Sequence, residues 1–168
     1  MEVGGAPWMD VATGFRVPPQ ARRVGYLPQG FALFPHLTVR QNLAYGMDGQ
    51  AAGRAARLEE LVAILGLAGL AHRRPGALSG GQQQRVALGR AIARDPVLLL
   101  LDEPFASLDA PTREAVRVEL HALLRRLGTP TILVTHDRTE ALVLGDRIGV
   151  LVDGRLRQVG PVDEVFSR

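Results

Sequence analysis

The stretch Val97-Leu98-Leu99-Leu100-Leu101-Asp102-Glu103-Pro104 decides the fold. Five apolar residues run without interruption, then two carboxylates arrive abruptly. A half-solvated strand alternates apolar and polar residues, whereas a short unbroken apolar run suits a parallel strand covered on both faces. Asp102 and Glu103 then stand at the carboxyl end of that strand, where open α/β sheets bind ligands. The plain alternative is a solvated strand end.

Outward from this run, helices and strands alternate. On the N-terminal side, Ser79-Gly80-Gly81 opens a helix that ends at Asp95-Pro96. Leu58, Leu61, Val62 and Leu65 recur at i, i+3, i+4 and i+7, an amphipathic helix that Gly66 stops. Thr38-Val39-Arg40-Gln41 has the capping-box form and starts a helix through Asn42 and Tyr45, with Gly46 as its stop. Arg22 to Leu27 reads as a strand ending at Pro28-Gln29-Gly30, and residues 1–20 are turn-rich. On the C-terminal side, Val116, Leu120, Leu123, Leu124 and Leu127 form a helical stripe that ends at Gly128. A β-branched strand, Thr131 to Thr135, and a short helix from about Thr139 to Leu144 come next. Arg147 to Val152 and Arg155 to Val159 read as a hairpin around Asp153-Gly154. The alternation predicts a parallel α/β sheet with helices on its faces.

Composition narrows the chemistry. The 168 residues hold 20 basic side chains against 17 acidic ones, and all 20 are arginine. With no lysine there is neither a Schiff-base amine nor a phosphate loop built on an ammonium. With no cysteine there is no disulfide, thiolate metal site or sulfur nucleophile. The arginines are scattered among acids, which speaks against a nucleic-acid footprint. The longest uncharged apolar run, Leu61 to Ala71, falls short of the ~20 residues of a membrane span. No signal-peptide layout is visible at Met1 to Gly5.

Four further segments carry candidate chemistry. At Leu78-Ser79-Gly80-Gly81-Gln82 the glycines permit close backbone approach, and a helix N-terminus attracts phosphate; a simple helix cap is the bland reading. Asp102 can hold Mg²⁺, and Glu103 can orient or deprotonate a water. His136, in Thr135-His136-Asp137 after the second strand, can donate a hydrogen bond to a terminal phosphate or serve structure alone. Gln29 follows the first strand, where its amide reaches a metal or water or is an ordinary loop residue. Ser107-Leu108-Asp109 can be a loop that ends in a helix N-cap.

Taken together and in this order, the segments resemble the nucleotide-binding domain of ATP-binding-cassette (ABC) transporters. Leu78 to Gln82 match that family's signature loop, Leu98 to Pro104 its Walker B strand, Ser107-Leu108-Asp109 its D-loop, His136 its H-loop and Gln29 its Q-loop. The resemblance runs from about Arg16 to Phe166. It implies a P-loop-NTPase-like α/β fold, incomplete at the N-terminus, with a helical signature subdomain over about 47–95 and a Walker B to H-loop core over 96–160. It further implies ATP hydrolysis between two such domains packed head to tail. By resemblance, Glu103 is the catalytic base and His136 the γ-phosphate contact, while Asp102, with Gln29, anchors Mg²⁺. Ser79, Gly80, Gly81 and Gln82 bind the partner's ATP, and Asp109 lies at the dimer seam.

Leu33-Phe34-Pro35-His36-Leu37-Thr38-Val39 and the Gln82-Gln83-Gln84-Arg85 continuation look like bacterial importers of the molybdate, sulfate and polyamine types. The implied partners are a second ATPase subunit, transmembrane permease subunits and, indirectly, a periplasmic solute-binding protein. The implied location is the cytoplasmic face of the membrane. A non-transport ABC ATPase and a non-catalytic remnant are the rival readings.

The chain departs from the family in lacking the Gly-x-x-x-x-Gly-Lys-Ser/Thr phosphate loop. Trp8 and Tyr26 are the nearest large aromatics for an adenine, Tyr26 more naturally a packing residue of its strand. With the preceding part of the domain absent, Val97 to Leu101 is expected to expose an edge or an apolar face. The chain by itself is not expected to hydrolyse ATP.

Overall fold

The computed structural model describes residues 1–45, 47 and 51–166. Residues 1–20 form two small antiparallel pairs, β1 (Glu2–Val3) with β2 (Ala6–Pro7) and β3 (Met9–Asp10) with β4 (Phe15–Arg16). Trp8 is buried beside them, with the Arg22 guanidinium 5.8 Å from its ring centre. β5 (Val24–Leu27) then enters the main sheet.

Three helices follow. α1 (Val39–Ala44) begins with the expected box: Thr38 Oγ1 accepts from the Gln41 N–H, and Gln41 Oε1 accepts from the Thr38 N–H. Its predicted stop, Gly46, lies outside the described residues. α2 (Ala51–Ile64) gives way to Gly66, which takes the left-handed φ of +62° that ends a helix. α3 (Gly80–Ile92) stops short of the predicted Asp95-Pro96.

β6 (Leu98–Asp102) lies between β5 and β7 (Thr131–Val134), and all three strands are parallel. α4 (Ala110–Leu127) makes the β6–β7 crossover; Asp109 caps its start and Gly128, at φ +60°, closes it. α5 (Arg138–Leu144) leads to the hairpin of β8 (Arg147–Val152) and β9 (Arg155–Pro161). Asp153 and Gly154 both have positive φ, as a two-residue I′ turn requires. The short α6 (Val162–Phe166) packs on that hairpin.

The register puts Gly25, Leu27, Leu99, Leu101 and Leu133 on one face of the sheet, against α3 and the core. Leu99 is 0% exposed and Leu101 1%. α3 comes so close that a Cβ on Gly25 would sit 2.4 Å from the Ala91 carbonyl oxygen. The other face carries Val24, Tyr26, Leu98, Leu100, Ile132 and Val134. There Tyr26 is 52% exposed, and Ile132 and Val134 are 54% exposed. Two expectations change accordingly. β6 is not covered on both faces, and it is not an edge, since β5 and β7 flank it. The predicted exposure is that of an apolar face. Tyr26 stands in it instead of packing inside. Among the described residues no helix is long and apolar enough to cross a membrane.

Candidate nucleotide site

The carboxyl end of the sheet gathers four of the predicted residues. Asp102 closes β6 on the open face, with its Oδ2 3.5 Å from the Tyr26 hydroxyl. Glu103 follows in a left-handed conformation, φ +44°, although it is not glycine. That backbone state is strained for a side chain with a Cβ and recurs where function needs a particular orientation. It is held by the Glu103 N–H donating to the Val134 carbonyl at 2.9 Å, and by the Ala106 N–H donating to the Glu103 carbonyl at 3.2 Å.

So turned, the Glu103 carboxylate meets His136. Oε1 and His136 Nδ1 are 2.9 Å apart, and Gln29 Nε2 reaches Oε2 at 3.5 Å, the outer limit of a hydrogen bond. The Glu103 side chain is 25% exposed and that of His136 78%. The hydrogen bond to Glu103, and then its charge, raise the His136 pKa above the ordinary 6.5. With Nδ1–H directed at the carboxylate, Nε2 faces outward as a second donor whenever the ring is protonated.

The backbone on both sides of His136 is fixed. Thr135 Oγ1 accepts from the Asp137 N–H at 3.0 Å and donates to the buried Glu140 carboxylate. Asp137 Oδ1 accepts from the N–H groups of Thr139 and Glu140 at 2.7 and 3.1 Å, capping α5. The Glu140 backbone bond, above all, lowers the Asp137 pKa.

A second group forms at the start of α3. Ser79 and Gln82 make a reciprocal capping box, so both have the bland role at least. The glycines also pack: a Cβ on Gly80 would lie 2.9 Å from Leu108 Cδ2, and one on Gly81 3.0 Å from Val116 Cγ2. These contacts seat the α3 start on Ser107-Leu108-Asp109. Asp109 caps α4 through Thr112, and that hydroxyl is the main cause of its lowered pKa. The α3 start keeps its outward N–H groups, but no hydrogen bond or ion pair among the described residues links it to Asp102, Glu103 or His136. The structure therefore assembles two groups, not one.

Mg²⁺ characteristically takes one or two carboxylates and completes its shell with phosphate and water. Among the described residues no three His, Asp or Glu side chains cluster as a metal cage. Asp102, half-buried with Gln29 across Glu103, fits that sparse pattern. Trp8 is buried in its own hairpin corner and presents no open ring for a base. A groove of about 430 Å³ lies elsewhere, between α2, α3 and α4.

Two residues near Gln29 escape any spacing rule. Asn42, fully buried, accepts from the Phe34 N–H and donates to the Phe34, Leu37 and Thr38 carbonyls. Arg90 donates to the carbonyls of Phe31 and Ala32. Their partners are backbone atoms, which leave no signature in a sequence.

Comparison with known proteins identifies the family. The family model described as ABC transporter matches residues 6–106. The chain is 48% identical over 158 residues to the spermidine/putrescine import ATP-binding protein PotA 1 of Pseudomonas aeruginosa, covering 90% of this chain and 43% of that protein. It is 49% identical over 155 residues to the sulfate/thiosulfate import ATP-binding protein CysA of Mycolicibacterium paratuberculosis, covering 90% and 43%. The chain thus spans less than half the length of these curated relatives. A solved dimeric ATP-binding cassette, MJ0796, in a post-hydrolysis state with ADP and Pi superposes with a TM-score of 0.68 at 34% identity, over 84% of this chain and 63% of that one. By a family model over most of its length and by relatives of nearly half identity, the chain belongs to the ABC transporter family.

Proposed function

We propose that this chain supplies the water-activating acid and the signature helix of an import ATPase, and that ATP is gripped only when further polypeptide completes the site. The observation that carries the reading is the Glu103–His136 pair at the strand ends, 2.9 Å apart. Glu103, aimed by its left-handed backbone, takes the proton of an attacking water. His136 keeps Nδ1–H on Glu103 and offers Nε2–H to the γ-phosphate, so one ring orients the base and steadies the developing charge. Asp102 and Gln29 would hold Mg²⁺, which when bound neutralises phosphate charge. The Ser79 hydroxyl and the Gly80 and Gly81 N–H groups face a second subunit's nucleotide, with Asp109 at the seam.

Without a lysine the β- and γ-phosphates lack their usual cation, so that loop is contributed by sequence outside these 168 residues. The same sequence covers Tyr26, Leu100 and Ile132, because parallel sheets are stable when both faces are buried. Partners of this kind place the chain on permease subunits at the cytoplasmic membrane face, as an ATP-driven importer component of the polyamine, sulfate or molybdate type.

The test mixes this chain with a full-length import ATP-binding subunit. Alone, the chain shows no measurable ATP turnover; in the mixture turnover rises and Ser79→Arg, at the half-site, removes the rise, while turnover restored by an added segment carrying the phosphate loop is removed by Glu103→Gln. Turnover by the chain alone that Glu103→Gln abolishes overturns the shared-site reading. No rise on mixing overturns the proposed half-site.

A further inference from the structure

Arg90 stands in the last turn of α3, the helix that Ser79 to Gly81 begin. A helix of this length spans about 20 Å, so its two ends belong to different neighbourhoods. At the far end, the Arg90 guanidinium forks. Nη1 donates to the Ala32 carbonyl at 2.7 Å and Nη2 to the Phe31 carbonyl at 3.0 Å, and Cζ lies 5.0 Å from the Phe34 ring centre.

The carbonyls it holds belong to an unusual turn. Gly30, Phe31 and Ala32 have φ values of +75°, +66° and +44°, three successive left-handed residues of which two carry a Cβ. L-residues other than glycine adopt this state only where surroundings impose it. Phe31 is anchored in the core and Asn42 pins the loop from Phe34 onward. Between these fixed points the turn is closed by the Phe31 N–H on the Pro28 carbonyl at 3.1 Å and the Ala32 N–H on the Gly30 carbonyl at 2.8 Å. Arg90 is the side chain seen to engage the Phe31 and Ala32 carbonyls among the described residues. Gln29 immediately precedes the turn, and its amide is the one facing Glu103. Burial pushes the Arg90 pKa down, opposed by Tyr45, which agrees with an ion withdrawn from water for this contact.

We propose that Arg90 is a positioning residue that ties the Gln29 loop to the position of α3, so that engagement of Ser79–Gly81 by a partner's nucleotide is felt at Gln29 and Glu103. The proposal rests on the half-site reading given above. The bistable element is the turn itself. Clamped, it keeps Phe31 and Ala32 left-handed and Gln29 against Glu103; released, the two residues relax to right-handed backbone and Gln29 withdraws. Lysine is not equivalent to arginine here, because its compact ammonium lacks the rigid fork with which Nη1 and Nη2 hold two adjacent carbonyls while the guanidinium lies against Phe34.

Amide hydrogen exchange on the full chain provides the test, with Arg90→Lys, Arg90→Met and Ala32→Gly in the Arg90→Lys background. Both single variants raise exchange at residues 29–34 on the order of tenfold, while amides of β6 and α4 stay as in the parent. Ala32→Gly restores most of the lost protection, because glycine holds a positive φ without the clamp. Unchanged exchange at 29–34, or a rise spread evenly through β6 and α4, overturns the clamp. So does failure of Ala32→Gly to restore any protection. If Arg90→Met does not fold, Arg90→Lys with and without Ala32→Gly decides.

A second arm adds a full-length, ATP-loaded import ATP-binding subunit. In the parent chain, protection changes at both 79–82 and 29–34, and in Arg90→Lys only at 79–82. A change at 79–82 alone in the parent overturns the relay. No change at either place overturns the half-site reading and the relay with it, while the clamp stands or falls on the variants alone.

Discussion

The two faces of β6 are built from the same residue type and behave differently. Leu99 and Leu101 are sealed under α3, whereas Leu98 and Leu100 share their face with exposed Tyr26, Ile132 and Val134. The same residue type is thus fully buried on one side and only half-buried on the other. The difference teaches where this chain keeps its own stability and where apolar area stays in contact with water. Leu98 and Leu100 are only half-buried, so part of the ~25 cal/mol per Å² of apolar burial stays unrealised on the open face.

Leu101→Ala offers the strongest challenge to this contrast. It should lower unfolding stability by roughly 2–5 kcal/mol, measured by denaturant melts, because the cavity opens in the sealed core. A loss below about 1 kcal/mol would mean the covered face is not the core. Gly25→Ala comes next. Its methyl would meet the Ala91 carbonyl at 2.4 Å, so α3 must lift from the sheet, at about 1–3 kcal/mol.

On the open face, Ile132→Ser should change stability by no more than about 0.5 kcal/mol in the chain alone. With an added segment that carries the phosphate loop, the same substitution should weaken association. A large loss in the isolated chain would show the face already covered.

The smallest effect is electrostatic and sits at the end of the open face. Because pairing raises the His136 pKa, its contribution to stability is complete below pH 6.5 and fades as pH rises through the elevated value. Following the imidazole by NMR, Glu103→Gln should bring the midpoint back toward 6.5. An unchanged midpoint would dissolve the pair. Asp137 has the opposite sign, its cap losing strength as pH falls below the ordinary 3.8.

Much of the arrangement was legible in the residues. The capping box at Thr38, the helix cap at Ser79, the Gly66 and Gly128 stops and the Asp153-Gly154 turn all lie where local chemistry puts them. The acids and His136 could be placed at strand ends, and parallel pairing of β6 with β7 then brings residues 103 and 136 together. The one-sided coverage of β6 was harder, because period-two alternation vanishes when the exposed face is apolar too. Asp109 is visible only as a helix cap, and the seam assigned to it needs a second subunit. The left-handed turn at Phe31 and Ala32 gave no sign, since neither residue advertises a positive φ. Arg90 was hidden for the same reason as Asn42: carbonyl partners are common to every residue.

His136 projects from a backbone locked on both sides by Thr135 and Asp137, yet most of its ring is bathed in solvent. Its reach toward a ligand therefore depends on two side-chain torsions, which turn over in picoseconds to nanoseconds at exposed positions. An imidazole mounted this way arrives long before any subunit does. On the half-site reading, the slow clock of turnover then belongs to the meeting of protein surfaces, and changes at position 136 should alter how well phosphate is held while leaving the pace of docking alone.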